Sequence, residues 1–143
     1  MKKRKIKILL IDSHLLFREA ISNFLSKEKR FQIIDEHIKK LDALESVRKL
    51  NPDIVLLNVD IKKTYAAKAI FMILNINPLI KIIALSLHNS PDEANVIMGF
   101  GAKGYVTKTS EINEFKVAIL EVEKGNNYIC SEIRKMNDFP EIL

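Results

Sequence analysis

The sequence predicts an α/β protein built on a doubly wound, five-stranded parallel sheet with the strand order 2-1-3-4-5. Along its 143 residues, short apolar runs alternate five times with segments whose apolar residues recur at helical spacing. The apolar runs do not alternate with polar residues, which is typical of strands covered by helices on both faces. Short, right-handed connections between such units favour a doubly wound sheet.

The first two strand–helix units show both periods clearly. The run "IKILLI", residues 6–11, predicts the first strand, and the apolar positions of Phe17–Leu25 predict the first helix. A second strand is expected at residues 31–37. The second helix must end near Asn51-Pro52, because a residue before proline disfavours the helical conformation.

The third and fourth strands are again short apolar runs. Asp53–Asn58 predicts the third strand, and a helix over residues 64–76 follows it. Asn77-Pro78 ends this helix. The run "IKIIALS", residues 80–86, predicts the fourth strand.

Capping signals mark the last two helices. Ser90 as N-cap, Pro91 at the first helical position and Glu93 closing a capping box predict the start of the fourth helix. The run "KGYVT", residues 103–107, predicts the fifth strand. Ser110 is expected to cap the last helix.

The net charge of +5 comes from one short segment. The N-terminal "MKKRKIK" contains five of the 23 Lys and Arg residues, which leaves 18 basic against 18 acidic residues in the rest of the chain. Such a flank is more often a solvated end than a nucleic-acid site. The domain body therefore gives no electrostatic sign of a nucleic-acid partner.

The remaining composition indicates a single cytoplasmic domain. No apolar run approaches the roughly 18 residues of a membrane span, and the N-terminus lacks the apolar core of a signal peptide. We therefore expect no membrane partner. The single cysteine, Cys130, allows no internal disulfide and no cysteine-based metal site.

Polar residues follow four of the five predicted strands. In a doubly wound sheet, the ligand crevice lies outside the carboxyl ends of the strands, so these residues are the candidate site. No glycine-rich phosphate loop follows any strand, which disfavours a Rossmann or P-loop nucleotide site. The candidates are Asp12, Ser13, Asn58, Asp60, Ser86, His88 and Lys108.

At these residues the sequence resembles the receiver domain of bacterial response regulators, in the branch that precedes a LuxR/FixJ-type helix-turn-helix domain. The resemblance rests on "ILLIDSHLLFREAI", "NPDIVLLNVDI", "IIALS", "GAKGYVTK" and "GNNYI", in matching order and spacing. It implies a flavodoxin/CheY-like (βα)5 fold with a receiver-like domain over residues 1–130. Residues 131–143 are then a tail or the start of a linker, and DNA contact is expected only through a helix-turn-helix domain absent from this chain.

The resemblance also assigns a pocket. In the family, two adjacent acids bind Mg²⁺, an aspartate ending the third strand accepts a phosphoryl group, and a Ser or Thr and a Lys bind that group. Asp12, Ser86 and Lys108 match this pattern. Ser13 stands in place of the second acid, and Asn58 stands in place of the phosphoacceptor.

The two missing carboxylates predict a degenerate pocket. Asn58 offers no anionic nucleophile for phosphoryl transfer, so we expect no catalytic residue and no enzyme activity. Mg²⁺ should bind weakly or not at all, because Asp12 is the one acid left at its place; no other cofactor is expected. Asp60 could offer a second carboxylate. Lys108 is expected to pair with Asp12 or to hydrogen-bond the side-chain carbonyl of Asn58.

These residues leave more than one function open. The first hypothesis is a phosphorylation-independent pseudo-receiver, the regulatory domain of a transcription regulator, acting through a homodimer or partner contact. The contact face would be the fourth helix, fifth strand and fifth helix, residues 94–123, and Tyr105 matches the aromatic that in the family changes rotamer on activation. The alternative is a working phosphorelay receiver that uses Asp60 or Ser13 as acceptor. A flavin-binding enzyme is a weaker third hypothesis.

Overall fold

A computed structural model describes residues 4–37, 40–60 and 62–138. Six strands alternate with six helices along the chain. The strands are β1 Ile6–Ile11, β2 Phe31–His37, β3 Ile54–Asn58, β4 Lys81–Ser86, β5 Gly104–Thr107 and β6 Tyr128–Ile129. The helices are α1 Leu15–Ser26, α2 Lys40–Leu50, α3 Lys63–Ile76, α4 Pro91–Gly99, α5 Ile112–Glu123 and α6 Ser131–Asp138.

The strands form one parallel sheet in the order β2-β1-β3-β4-β5-β6. Strands β1, β3 and β4 are buried along almost their whole length, as expected for apolar strands with helices on both faces. Helix α1 contacts α5, whereas α3 contacts both α2 and α4. The core therefore lies in two layers between the sheet and these two groups of helices.

The parallel α/β fold and the order of the first five strands confirm the prediction. The number of strands was wrong, because β6 pairs in parallel with β5. After Gly125, at φ +104°, the chain turns back along β5. The amide of Tyr128 donates to the Lys103 carbonyl at 2.9 Å, and that of Cys130 donates to the Tyr105 carbonyl at 3.0 Å. These bonds pair an edge of β5 that would otherwise be open.

The helix caps agree with the sequence at one helix and disagree at another. Glu93 N–H donates to Ser90 Oγ at 3.2 Å, which confirms the predicted start of α4. Ser110 does not cap α5, because its Oγ lies 2.8 Å from Thr107 Oγ1 and Glu111 occupies the N-cap position. A nearby hydroxyl therefore competes with the helix amides for this serine.

The C-terminal segment begins with helix α6, and residues 139–143 lie outside the described part. Cys130, between β6 and α6, is fully buried, as is Ile133 in the first turn of α6. Helix α6 contacts α4. Within the described ranges, no helix has the length and hydropathy needed to cross a bilayer.

Candidate functional site

The candidate site lies where the carboxyl ends of four neighbouring strands meet. Asp12 follows β1, Asn58 ends β3, Ser86 ends β4 and Lys108 follows β5. Adjacent strands are in register here, since Asn58 pairs with Leu85 across β3 and β4. Asp12, Asn58 and Ser86 are among the few buried polar residues of the described chain. The parallel sheet thus brings together side chains that are far apart in the sequence.

Asp12 and Lys108 form a buried ion pair. Lys108 Nζ lies 2.7 Å from Asp12 Oδ2, and the two side chains are 4% and 0% exposed. Among the described residues, Asp12 Oδ2 has no hydrogen-bond partner, and its charge is compensated by this ion pair. The other oxygen, Oδ1, accepts from His14 N–H at 2.8 Å. Each buried charge therefore depends on the other, because an isolated charge in this position would lack compensation for its lost hydration.

Two further groups surround the Lys108 ammonium. His14 Nδ1 lies 2.6 Å from Nζ, and the Phe17 ring centre lies 5.0 Å from it. Both residues belong to the segment that follows β1. The aromatic face and the ring nitrogen complete the surroundings of the ammonium on the α1 side.

Asp60 occupies the opposite side of the pocket. Its Oδ1 accepts a hydrogen bond from Ser86 Oγ at 2.7 Å. The Leu87 N–H lies 3.0 Å from Oδ1 and 2.9 Å from Oδ2, and Lys108 Nζ lies 3.7 Å from Oδ2. A hydroxyl, a backbone amide and an ammonium therefore converge on the Asp60 carboxylate.

Asn58 holds the turn that carries Asp60. Its Oδ1 accepts from the Asp60 N–H at 2.9 Å, an arrangement typical of asparagine at the start of a turn. Of the two arrangements expected for Lys108, the structure has the ion pair with Asp12. The described contacts include no hydrogen bond from Lys108 to Asn58. The amide thus acts on the pocket through the backbone of Asp60.

Tyr105 and Ser86 are joined through one loop residue. Tyr105 is fully buried, and its hydroxyl donates to the His88 carbonyl at 2.9 Å. The His88 N–H donates to Ser86 Oγ at 2.9 Å. Tyr105 Oη also lies 3.3 Å from Glu93 Oε2. Burial raises the pKa of the Tyr105 hydroxyl well above its usual value.

One predicted site residue, Ser13, lies outside the pocket, and some of the pocket contacts were not predicted. Ser13 is exposed in the turn after β1. The contact of His14 with Lys108 and the role of the Leu87 amide were missed. The position of His14, two residues beyond Asp12, could have suggested its contact with the pocket. The contact of the Leu87 backbone amide has no signal in the sequence.

The donor set fits an ammonium better than Mg²⁺. Mg²⁺ requires oxygen ligands, usually from carboxylates and waters. The pocket carboxylates of Asp12 and Asp60 lie 2.7 and 3.7 Å from Lys108 Nζ. Among the residues that the structure describes, no cluster of three His, Cys, Asp or Glu side chains could hold a metal ion. The Lys108 ammonium thus lies beside both pocket carboxylates.

Comparison with known proteins supplies the family. A family model described as "Response regulator receiver domain" matches residues 8–120. The transcriptional regulatory protein DegU of Brevibacillus brevis is 30% identical over 133 residues. The match includes 93% of this chain and 56% of DegU, so the chain spans little more than half the length of that relative.

Solved structures agree on the fold. A LuxR-family two-component response regulator from Aurantimonas sp. SI85-9A1 superposes with a TM-score of 0.84 at 24% identity, covering 92% of this chain and 94% of that one. The RcsB response regulator of Salmonella typhimurium, in a study of DNA interaction, gives 0.85 at 16% identity, covering 95% and 67%. With the family match across most of its length, the chain belongs to the response regulator receiver domains.

Proposed function

We propose that this chain is a phosphorylation-independent receiver domain, a pseudo-receiver whose pocket is filled by its own Asp60 carboxylate. The observation that carries this proposal is the convergence of the Ser86 hydroxyl and the Lys108 ammonium on Asp60. By the family resemblance, a hydroxyl and a lysine at these two positions bind the phosphoryl group. Here the same two groups already contact an anion that belongs to the chain.

Asn58 supports the proposal by its chemistry. Phosphoryl transfer to a side chain needs a nucleophilic oxygen, and a carboxamide supplies no anionic one. The Asn58 carbonyl oxygen also accepts the Asp60 N–H. The residue at the acceptor position therefore serves to orient the turn.

The same arrangement supports weak or absent Mg²⁺ binding. A divalent cation between Asp12 and Asp60 would compete with the Lys108 ammonium, whose side chain is 4% exposed. Displacing a buried ammonium from its carboxylates carries a large desolvation penalty. We expect Mg²⁺ to leave the folding stability of the natural protein nearly unchanged.

The relatives support a regulatory role in transcription. DegU is a transcriptional regulatory protein, and the RcsB structure concerns DNA interaction. We propose that this chain regulates such an output in the cytoplasm, with DNA bound by a separate helix-turn-helix domain. The dimer or partner contact would use α4, β5 and α5, where Val96, Phe100, Ile112 and Val117 are each 37–43% exposed.

The decisive experiment is intact-mass analysis after incubation with acetyl phosphate and Mg²⁺. The matched control is the Ser13→Asp/Asn58→Asp double variant, which restores both missing acids. We expect no phosphoryl adduct on the natural protein and an adduct on the double variant. An adduct on the natural protein would overturn the proposal in favour of the phosphorelay alternative. Loss of that adduct in Asp60→Asn or Ser13→Ala would then identify the acceptor.

Light scattering tests the contact face. We expect a dimer without any phosphodonor, which Phe100→Ser weakens. The control is Phe71→Ser, which removes an exposed phenylalanine from α3, outside this face. A dimer that both variants leave unchanged, or that forms only with a phosphodonor, would contradict this mode of action.

A further inference from the structure

Glu132, in the first turn of α6, contacts two loops at once. Its Oε2 accepts from Thr107 Oγ1 at 2.7 Å and from Thr109 Oγ1 at 3.0 Å. Its Oε1 accepts from Asn89 Nδ2 at 3.0 Å. Hydrogen bonds from Thr107 and then Asn89 lower the pKa of the Glu132 carboxyl, so it is an ionised acceptor near neutral pH. One side chain thereby joins α6 to the loops after β4 and β5.

The ends of β4 and β5 and the loops that follow them also contribute residues to the candidate site. Thr107 directly precedes Lys108 in the chain. Asn89 directly follows His88, whose N–H donates to Ser86 Oγ and whose carbonyl accepts from Tyr105 Oη. A continuous path of hydrogen bonds and one peptide link thus runs from Asp60 through Ser86 and His88 to Glu132. The path begins at the Asp60–Ser86 contact of the pocket and continues through contacts outside the pocket.

Helix α6 is a short element at the end of the described chain. It has eight residues, and an isolated helix of that length is marginal in water. Among its described side chains, from Ser131 to Met136, Ile133 is the buried one. The Ser131 N–H also donates to Glu114 Oε2 at 2.6 Å. Because an isolated helix of this length is marginal, α6 should remain helical only while it is docked.

We propose that Glu132 is a latch through which the state of the pocket determines whether α6 is docked or released. When Asp60 holds Ser86, the loop after β4 presents Asn89 to Glu132 and α6 is docked. A change at Asp60 or Ser86 moves that loop, weakens the latch and frees α6. Because coupling between two sites is reciprocal, loss of the latch also loosens the loop after β4. The proposal holds whether or not the pocket accepts a phosphoryl group.

Hydrogen–deuterium exchange of the whole chain tests the latch. Asn89→Ala and Asn126→Ala form a matched pair, since each removes an exposed asparagine that donates to a glutamate Oε1 at 3.0 Å. Asn89→Ala should raise the exchange rate of residues 134–138 by about fivefold, as expected for one lost hydrogen bond. Asn126→Ala should leave that rate unchanged. Equal effects of the two variants, or no effect of Asn89→Ala, would overturn the latch.

A second arm tests the coupling to the pocket. Asp60→Asn should raise α6 exchange in the natural background and add nothing further in a Glu132→Ala background. If Glu132→Ala prevents folding, Thr109→Val removes one exposed donor to the same carboxylate and replaces it. The proposal fails if Asp60→Asn leaves α6 exchange unchanged, or if its effect is as large without the latch as with it.

Discussion

Ser86 Oγ donates a 2.7 Å hydrogen bond to Asp60 Oδ1, joining the end of β4 to the turn after β3. Ser86 is fully buried, so its hydroxyl needs a partner within the protein. The same carboxylate accepts the Leu87 N–H and lies near the Lys108 ammonium. The polar groups at this edge of the sheet are thus satisfied by the chain itself.

Replacing Asp60 with asparagine should destabilise the fold. The substitution removes the charge that Ser86, Leu87 N–H and Lys108 contact, and we expect the free energy of unfolding to fall by about 1–3 kcal/mol. Urea denaturation measures the change. Glu45→Gln is the control, because Glu45 forms a solvent-exposed pair with Lys49, and such surface pairs contribute little to stability. Equal losses in both variants would contradict a special role for Asp60.

Replacing Lys108 with methionine should destabilise the fold more than Asp60→Asn does. Asp12, fully buried, would lose its ion pair, and we expect a loss of about 3–5 kcal/mol in the free energy of unfolding. The same change at Lys124, which forms a solvent-exposed pair with Glu121, should lower the free energy of unfolding much less. A Lys108→Met/Asp12→Asn double variant should recover part of the stability, as measured by urea denaturation. If the double variant lost as much free energy of unfolding as the two single variants combined, or more, this account would be contradicted.

High pH should destabilise the protein through two tyrosines. Burial raises the pKa of Tyr105 well above the usual value of about 10, and burial with a hydrogen bond to Glu114 raises that of Tyr128 to about 12. Between the unfolded and folded pKa values, the unfolded chain loses protons that the folded chain keeps. This stabilising contribution is therefore complete below about pH 10 and is lost as the pH rises above it.

Urea unfolding from about pH 9 to about pH 11 measures this dependence. The free energy of unfolding should fall by at most about 1.4 kcal/mol per pH unit for each tyrosine. Tyr105→Phe should make the fall less steep, because it removes one of the two groups. An identical slope in that variant would show that Tyr105 does not contribute.

Gly99 and Gly101, two residues apart in the chain, offer a test of the backbone conformation. Gly101 has φ +122°, and a Cβ there would lie 2.9 Å from Leu74 Cδ1. Gly101→Ala should therefore lower the free energy of unfolding by about 1–3 kcal/mol. Gly99, in α4, has no atom within 4 Å of such a Cβ, so Gly99→Ala should be neutral or stabilising by up to about 1 kcal/mol. Thermal unfolding of both variants measures this difference. A Gly99→Ala variant less stable than Gly101→Ala would contradict the conformational requirement at Gly101.

The main strands and helices could be predicted from the sequence because each has an apolar pattern that extends over several residues. Apolar runs and helical spacing located the first five strands, and the proline and asparagine pairs located the helix ends. Strand β6 has two residues, too few for any periodic pattern, and its pairing depends on the turn after Gly125. The capping role assigned to Ser110 failed because Thr107, its hydrogen-bond partner, belongs to the end of β5.

The sequence located polar residues at the strand ends, but it could not predict how their side chains are arranged. The residues at the strand ends do converge, yet the partner of Asp60 depends on the turn that Asn58 orients. A local pattern cannot reveal a contact with Ser86, which comes from another strand. Glu132 was missed for the same reason, since its donors come from two loops far away in the chain.

The reactivity of Cys130 can be used to measure opening at the C-terminal end of the domain. It is the single cysteine of the chain and is fully buried between β6 and α6. A thiol reagent can reach it only after this end of the domain opens or the whole fold does. The rate at which the native protein is alkylated therefore reports how often this end of the domain or the whole fold opens, without any label added by mutation.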